Sequence, residues 1–222
     1  MDDISKTDVS SETEIVIYSE IGDMTGLDLA DSKETHFQIE SNFINGNKCR
    51  VRKTIKNENI DYLFTIKIKD KNSEISKCVE LNNVVDEEFF KTFFKTTDRI
   101  IQKYRYTFTR DIKLNIEGKE VTVPNIEYQV DIFFKKGYGV KGCVISEWCK
   151  IDIEIDKIND FLEKNYPNQS NTKLTVNISD LPFKPKKSIL SSDCSEEKEQ
   201  KIKELWDNEY ITKREESMTE VS

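Results

Sequence analysis

The stretch His36–Phe43 reads H-F-Q-I-E-S-N-F, and its polar and apolar residues alternate from His36 to Glu40. This two-residue period is typical of a β-strand with one buried face and one polar face. The same period recurs in later segments, where charged residues take the polar positions. If such strands form a sheet that closes on itself, the charged face lines an interior suited to a polyanion and a cation.

The charged positions of these alternating segments include both signs. The cations are Arg50, Arg52, Lys67, Lys69, Lys103 and Arg105, and the carboxylates are Glu40, Glu80, Asp131 and Glu147. For any one strand, alternating charges are more often an ordinary solvated sheet face, and that interpretation stays open as the alternative. The repetition along the chain favours a shared, functional face.

The composition limits the classes of function. The chain has 222 residues, of which 34% are charged and 36% are hydrophobic, enough for a core of one large domain. Its net charge of −8 argues against a protein that coats DNA or RNA, because such proteins need a basic surface. A local basic site is compatible with this charge.

The same data predict a cytoplasmic or nuclear protein without a membrane partner. There is no run of 18 apolar residues and no start of the signal-peptide type. Five cysteines without C-x-x-C spacing, and a single histidine, favour reduced thiols over a structural zinc site.

The order of the segments predicts an α+β protein with at least eight antiparallel strands in a closed or nearly closed sheet. Residues 1–12 are predicted to be a disordered tail, 13–190 the folded domain, and 191–222 an acidic C-terminal helix and tail. Asp86 is a good N-cap for a helix with a phenylalanine stripe, and a second helix is predicted at 156–165. A hairpin is expected to turn at Glu117-Gly118.

Seven segments resemble, in order, motifs of the CYTH group of the triphosphate tunnel metalloenzyme superfamily. The similarity covers about residues 35–165. The segments are Q-I-E-S-N-F from Gln38, R-V-R from Arg50, L-F-T-I-K-I-K from Leu63, C-V-E from Cys78, I-Q-K-Y-R-Y from Ile101, Y-Q-V-D-I-F from Tyr128 and G-C-V-I-S-E-W-C from Gly142. They are similar to the family's E-x-E-x-K, L-R-x-R, L-T-I-K-G-K, E-x-E, I-x-K-x-R-Y, W-E-V-D-V-F and G-L-V-I-A-E-I-E motifs.

This resemblance implies an eight-stranded antiparallel closed β-barrel, a tunnel with flanking helices, that holds a triphosphate and Mg²⁺ or Mn²⁺. The six cations would grip phosphate oxygens, and Asp131 would orient them. Glu40, Glu147 and Gln38 would bind the metal, while Glu80 and Glu147 would act in catalysis. Forked cations neutralise phosphate, and a divalent ion positions water for attack on phosphorus.

The resemblance implies a metal-dependent triphosphatase that removes the terminal phosphate. Its substrate would be inorganic triphosphate, a nucleoside triphosphate or the 5′-triphosphate end of RNA. Three motif positions differ, since Gln38, Asn42 and Cys149 stand where the family has Glu, Lys and Glu. These differences favour an alternative, a catalytically weak or inactive tunnel that binds or sequesters nucleotides or polyphosphate.

Overall fold

The computed structural model describes residues 8–42, 47–69, 77–95, 99–116, 118–134, 145–167, 175–176, 184–190 and 196–205. The strands are β1 (Asp8–Asp23), β2 (Ser32–Asn42), β3 (Lys48–Lys56), β4 (Asn59–Lys69), β5 (Lys77–Val84), β6 (Ile100–Ile116), β7 (Lys119–Phe134), β8 (Ile145–Glu154), β9 (Thr175–Val176) and β10 (Lys184–Leu190). The helices are α1 (Glu87–Phe94), α2 (Asp156–Asn165) and α3 (Glu196–Leu205), with a 3-10 turn at Thr25–Leu29.

These strands form one sheet, and all its strand pairs within the described residues are antiparallel. The strand order is β10-β1-β5-β4-β3-β2-β6-β7-β8, with β9 beside β6. The predicted α+β class and the antiparallel sheet of at least eight strands are confirmed. Closure of the sheet into a barrel stays a prediction.

Strand β1 has three partners along its length. Its first part, 8–13, pairs with β5, and 14–20 pairs with β8. The stretch from Ile17 to Asp23 also pairs with β10, along the edge of β1 that faces away from β8. Long strands of this kind connect parts of a sheet that short strands would leave separate.

Two strands extend into segments for which the sequence predicted no regular structure. β1 begins at Asp8, inside the predicted tail, and β10 includes the Lys-Pro-Lys-Lys run from Lys184. Residues such as Ser10 and Ser11 carry no apolar side chain that marks a strand. Their pairing with β5 uses backbone hydrogen bonds, which polar composition does not reveal.

Helices α1 and α2 pack against the apolar face of the sheet. Asp86 caps α1 by accepting a hydrogen bond from the backbone N–H of Phe89, as the sequence predicted. Phe90 and Phe94 of this helix join Ile39 and Val51 in one apolar cluster. A larger cluster lies under α2 and contains side chains of β1, β6, β7 and β8. None of the helices in the described residues is long and apolar enough to cross a membrane.

The predicted hairpin is also present. β6 and β7 pair up to Ile116 and Lys119, and Gly118 adopts a positive φ of 80°. This left-handed conformation favours glycine, because a side chain there would strain the backbone. The long hairpin carries Lys103, Arg105 and Asp131 on its charged face, and it thereby places these three candidate site residues close together.

Candidate functional site

The strand register gathers the charged side chains on the face opposite α1 and α2. Directly paired residues of neighbouring strands project to the same face of a sheet. The pairs are Gln38 with Arg52, Glu40 with Arg50, Lys67 with Glu80, Arg105 with Asp131, and Asp131 with Lys150. Charged residues far apart in the sequence thus share one surface.

We define the Asp131 cluster as Lys103, Arg105, Asp131, Lys150 and Asp152, from strands β6, β7 and β8. Lys103 Nζ donates to Asp131 Oδ2 at 2.5 Å. Arg105 Nε and Nη2 donate to the two oxygens of Asp131 at 2.7 and 2.8 Å. Lys150 Nζ donates to Asp152 Oδ2 at 2.7 Å, and Arg105 Nη2 lies 3.6 Å from the same oxygen. This is a dense network of mutually neutralising charges.

Burial and neighbouring charges together shift the pKa values of both Lys103 and Asp131 below their usual ranges. The pKa of Lys103 is lowered to about 7, first by burial and then by the nearby Arg105, while Asp131 opposes the shift. Burial raises the pKa of Asp131, but Arg105 and Lys103 outweigh it and hold that pKa well below its usual range. Asp131 is therefore a permanent carboxylate at neutral pH.

We define the Glu80 cluster as Arg50, Lys67 and Glu80, from β3, β4 and β5. Lys67 Nζ forms an ion pair with Glu80 Oε1, and Arg50 Nη2 lies 3.6 Å from Glu80 Oε2. Glu80 is buried, whereas the Lys67 side chain is 27% exposed. Lys67 of this cluster is thus partly accessible to solvent, whereas Arg50 is 16% exposed.

Arg52 lies between the two clusters on the same face. It forms no ion pair with any carboxylate within the described part of the chain, and its Nε is buried without a hydrogen-bond partner there. Burial lowers the pKa of Arg52 to about 9, and Arg50 and Arg105 contribute to this shift. With Arg52, the two clusters contain six cations and three carboxylates.

Gln38 and Glu40 lie side by side on β2. The Gln38 amide nitrogen donates to Glu40 Oε1 at 2.5 Å, and Lys48 Nζ lies 3.9 Å from Glu40 Oε2. The Gln38 carbonyl oxygen is buried and has no hydrogen-bond partner among the described residues. One carboxylate and one carbonyl oxygen fit Mg²⁺, which commonly takes one or two protein ligands besides phosphate and water.

His36, one pair further along β2, contacts a carboxylate at the edge of the site. Its Nε2 lies 2.9 Å from Glu34 Oε2, and Lys56 Nζ donates to Glu34 Oε1. Burial lowers the pKa of His36 to about 3; the Glu34 hydrogen bond opposes this shift, whereas Lys103 adds to it. The imidazole is therefore neutral at physiological pH.

Most of the predicted site residues lie on this face, and Glu147 is the exception among those whose side chains the structure describes. Arg50, Arg52, Lys67, Lys103, Arg105, Asp131, Glu80, Glu40 and Gln38 are brought together. Glu147 is exposed, and Cys149 is buried in the apolar cluster under α2. The Lys69 side chain lies outside the described residues, although its backbone belongs to β4.

The sequence analysis missed Lys150 and Asp152, which belong to the Asp131 cluster. They come from the same β8 segment as Glu147 and Cys149, in which K-I-D also alternates. Their alternation is visible in the sequence, but the resemblance to the family motif favoured the other set, Glu147 and Cys149. In the part of the chain that the structure describes, no group of three or more His, Cys, Asp or Glu side chains is arranged to bind a metal ion.

Comparisons with known proteins assign no family. No family model matches the chain. No curated protein matches it either. Among solved structures, the chain is similar to the PH1819 protein from Pyrococcus horikoshii OT3, with 12% identity and a TM-score of 0.42. That match covers 73% of this chain and 93% of the other. It is a distant structural similarity.

Proposed function

We propose that the charged face lines a closed tunnel and that this tunnel binds a polyphosphate, with a triphosphate as the leading ligand. Hydrogen bonds of β1 to both β5 and β8 support closure, because they connect the two ends of the strand series. An excess of cations over carboxylates in the two clusters supports an anionic ligand. Binding is the function that these contacts favour over catalysis.

The observation that carries the proposal is Arg52. A guanidinium whose Nε is buried without a hydrogen-bond partner, which lies close to Arg50 and Arg105 and forms no ion pair with the described residues, destabilises the folded protein. Glu34 and Asp131 attract it only at longer range. A bound phosphate removes this cost, because it accepts hydrogen bonds from the guanidinium and lowers the local positive potential. A purely structural charge network would pair each buried cation with a protein carboxylate.

The test measures ligand-dependent stability. We expect inorganic triphosphate to raise the melting temperature of the purified protein, because a ligand that binds only the folded state stabilises it. Phosphate and sulfate, at matched ionic strength, should raise it less. Arg52→Met should abolish most of the triphosphate effect while leaving the protein folded.

The matched control is Lys91→Met, which removes an exposed cation on α1, far from the charged face. This variant should keep the full response to triphosphate. An equal response in wild type and Arg52→Met, or no response in any of the proteins, would contradict the proposal. A response to sulfate as large as that to triphosphate would point to a general salt effect.

A second function, metal-dependent hydrolysis of the terminal phosphate, is favoured by one specific contact. The Gln38 carbonyl oxygen, which has no partner among the described residues, and the Glu40 carboxylate are the two candidate oxygen ligands for Mg²⁺ or Mn²⁺. The Gln38 amide nitrogen faces Glu40, so this amide would have to turn for both oxygens to bind one ion. When bound, such an ion would polarise the terminal phosphoryl group. Glu40 and Gln38 would hold it against the phosphates that the cations bind.

Phosphate release from inorganic triphosphate, nucleoside triphosphates and RNA with a 5′-triphosphate tests this second function. Release should require Mg²⁺ or Mn²⁺, stop with a chelator and fall at least tenfold in Glu40→Gln. Stabilisation by triphosphate without metal-dependent release would leave binding as the function. Release that persists in Glu40→Gln would exclude the proposed metal ligands.

A further inference from the structure

Trp148 on β8 lies on the charged face of the sheet and not in an apolar core. It pairs with Glu20 of β1, while Lys150, two residues further along β8, pairs with Asp131. Residues two apart in a strand share a face, so Trp148 lies beside the Asp131 cluster, about 7 Å along the strand from Lys150. Cys149, between them, belongs to the apolar cluster under α2. Neither apolar cluster of the described residues includes Trp148.

The indole of Trp148 is more accessible than two other aromatic side chains of this face. Phe133 and Tyr18, which pair with cations of the Asp131 cluster, are 1% and 6% exposed. Trp148 is half-buried, so part of its ring is open to solvent. An aromatic side chain of this size normally contributes its area to a core or to an interface. Its position on a polar face therefore indicates a contact with a ligand.

The ring of Trp148 carries a weak contact with the C-terminal helix. Lys201 Nζ of α3 lies over the ring, 5.4 Å from its centroid. Lys201 is exposed, so its ammonium remains hydrated and the attraction to the ring is small. A planar group that stacks on the indole can displace this ammonium.

The surrounding charges indicate which planar group fits. Arg105 and Lys150 lie on the same face as Trp148 and favour a group that is attached to an anion. A nucleobase meets both conditions, because its π-face stacks on the indole while its sugar connects it to phosphates among the cations. Inorganic triphosphate has no group for this position.

We propose that Trp148 is a stacking site for the base of a nucleoside polyphosphate and that the base displaces Lys201 from the ring. This inference rests on the proposed binding function, and it names the class of polyphosphate that the charged face prefers. Stacking accepts every base, since each has a π-face, and it therefore predicts selection for the presence of a base and not for its identity.

The test compares ATP with ribose 5-triphosphate, which has the same sugar and phosphates but no base. In isothermal titration, wild type should bind ATP at least about fivefold more tightly, the lower end of the effect of one stacked base. Trp148→Leu should lose this preference and keep its affinity for inorganic triphosphate. Trp148→Phe should retain part of the preference.

Two control variants separate the ring of Trp148 from its surroundings. Phe89→Leu changes an exposed aromatic side chain on α1, on the opposite face, and should retain the full preference for ATP. Lys201→Ala removes the competing ammonium and should retain or increase the preference. Loss of the preference in Lys201→Ala would overturn the inference, because it would assign recognition of the base to the cation.

Tryptophan fluorescence supplies a second measurement that does not require Trp148→Leu to fold. The chain has two tryptophans, and Trp206 lies outside the described residues. In Trp206→Phe, the fluorescence of Trp148 should be quenched by ATP but not by ribose 5-triphosphate. Equal quenching by both ligands would contradict stacking of the base.

An RNA trinucleotide with a 5′-triphosphate distinguishes two sources of the base. Tighter binding of this RNA than of ATP assigns the base to an RNA end, and weaker or equal binding assigns it to a free nucleotide. Equal affinity of wild type for ATP and ribose 5-triphosphate, or a preference for ATP that persists in Trp148→Leu, would overturn this inference and leave the binding function intact. Failure of every triphosphate to bind would overturn the proposed function and this inference together.

Discussion

The Asp131 and Glu80 clusters lie on the same face of the same sheet, yet they differ in how their charges are held. The Asp131 carboxylate is fully buried and accepts hydrogen bonds from Lys103 and Arg105, whose side chains are 6% and 15% exposed. In the Glu80 cluster, the Arg50 nitrogen lies 3.6 Å from the carboxylate, and Lys67 remains accessible.

This difference distinguishes charges that stabilise the fold from charges that can bind an anionic ligand. A buried, hydrogen-bonded network such as that around Asp131 specifies the arrangement of strands, because each partner would be left unpaired by any shift. In the Glu80 cluster, Arg50 lies at a longer distance from its carboxylate and Lys67 is in contact with solvent, so that both can exchange this carboxylate for a ligand. We therefore expect the Asp131 cluster to dominate stability, and the Glu80 cluster with Arg52 to dominate anion binding.

The largest expected effect is the loss of the Asp131 carboxylate. Asp131→Asn leaves Lys103 and Arg105 buried without their counter-charge and should lower the free energy of unfolding by about 3–5 kcal/mol. Chemical denaturation measures it. Addition of Lys103→Met should restore part of the loss, and a loss below 1 kcal/mol would show that the network is not structural.

The pH dependence of stability tests the same cluster through Lys103. Its folded-state pKa of about 7 lies below the unfolded value of about 10.4, so between them the unfolded chain binds more protons. The free energy of unfolding should therefore rise with pH from 7 to 10, by at most about 1.4 kcal/mol per pH unit. In Lys103→Met this rise should be absent, so the difference in free energy of unfolding between wild type and variant should change with pH. A difference that stays constant from pH 7 to 10 would contradict the prediction.

A smaller effect on stability, with a gain in binding, is expected in the Glu80 cluster. Glu80→Gln should lower the free energy of unfolding by only about 1–2 kcal/mol, since Lys67 reaches solvent and Arg50 lies 3.6 Å from the carboxylate. It should also tighten triphosphate binding, because Arg50 and Lys67 lose their competing carboxylate. Chemical denaturation measures the change in stability, and isothermal titration measures the change in triphosphate affinity. Weaker binding in Glu80→Gln would indicate that this carboxylate contacts the ligand or its metal.

The smallest effect belongs to an ion pair outside both clusters. Glu87 and Lys91 on α1 form an exposed i,i+4 pair at 3.0 Å. Lys91→Ala should change the free energy of unfolding by about 0.3–0.5 kcal/mol, the range of such surface pairs. Denaturation under the same buffer conditions provides the reference against which both clusters are compared.

The sequence predicted the charged face well where alternation and pairing coincide. Arg50, Arg52, Lys103 and Asp131 lie where the two-residue period placed them. In β8 the prediction followed the wrong alternation, because two sets of polar residues run through E-W-C-K-I-D. A shift by one residue moves every side chain to the opposite face, and only the register with β7 distinguishes the two sets.

The contacts within the face could not be predicted for a different reason. Whether Lys67 or Lys103 is held by a carboxylate depends on distances across strands that are far apart in the sequence. That no carboxylate of the described residues forms an ion pair with Arg52 is likewise a property of three strands together. The polar strand segment from Asp8 has no local signal at all, since its partners lie beyond residue 76.

The three partners of β1 have a consequence for the order of folding. Val16 pairs with Asp152, and Ile17 pairs with Leu190. This first strand therefore cannot form these pairs until the last part of the domain has been synthesised. Contacts with such sequence separation slow folding, because a long chain loop must close before they form. We therefore expect the N-terminal strand to dock late in folding, after the β6–β7 hairpin has assembled from its local contacts.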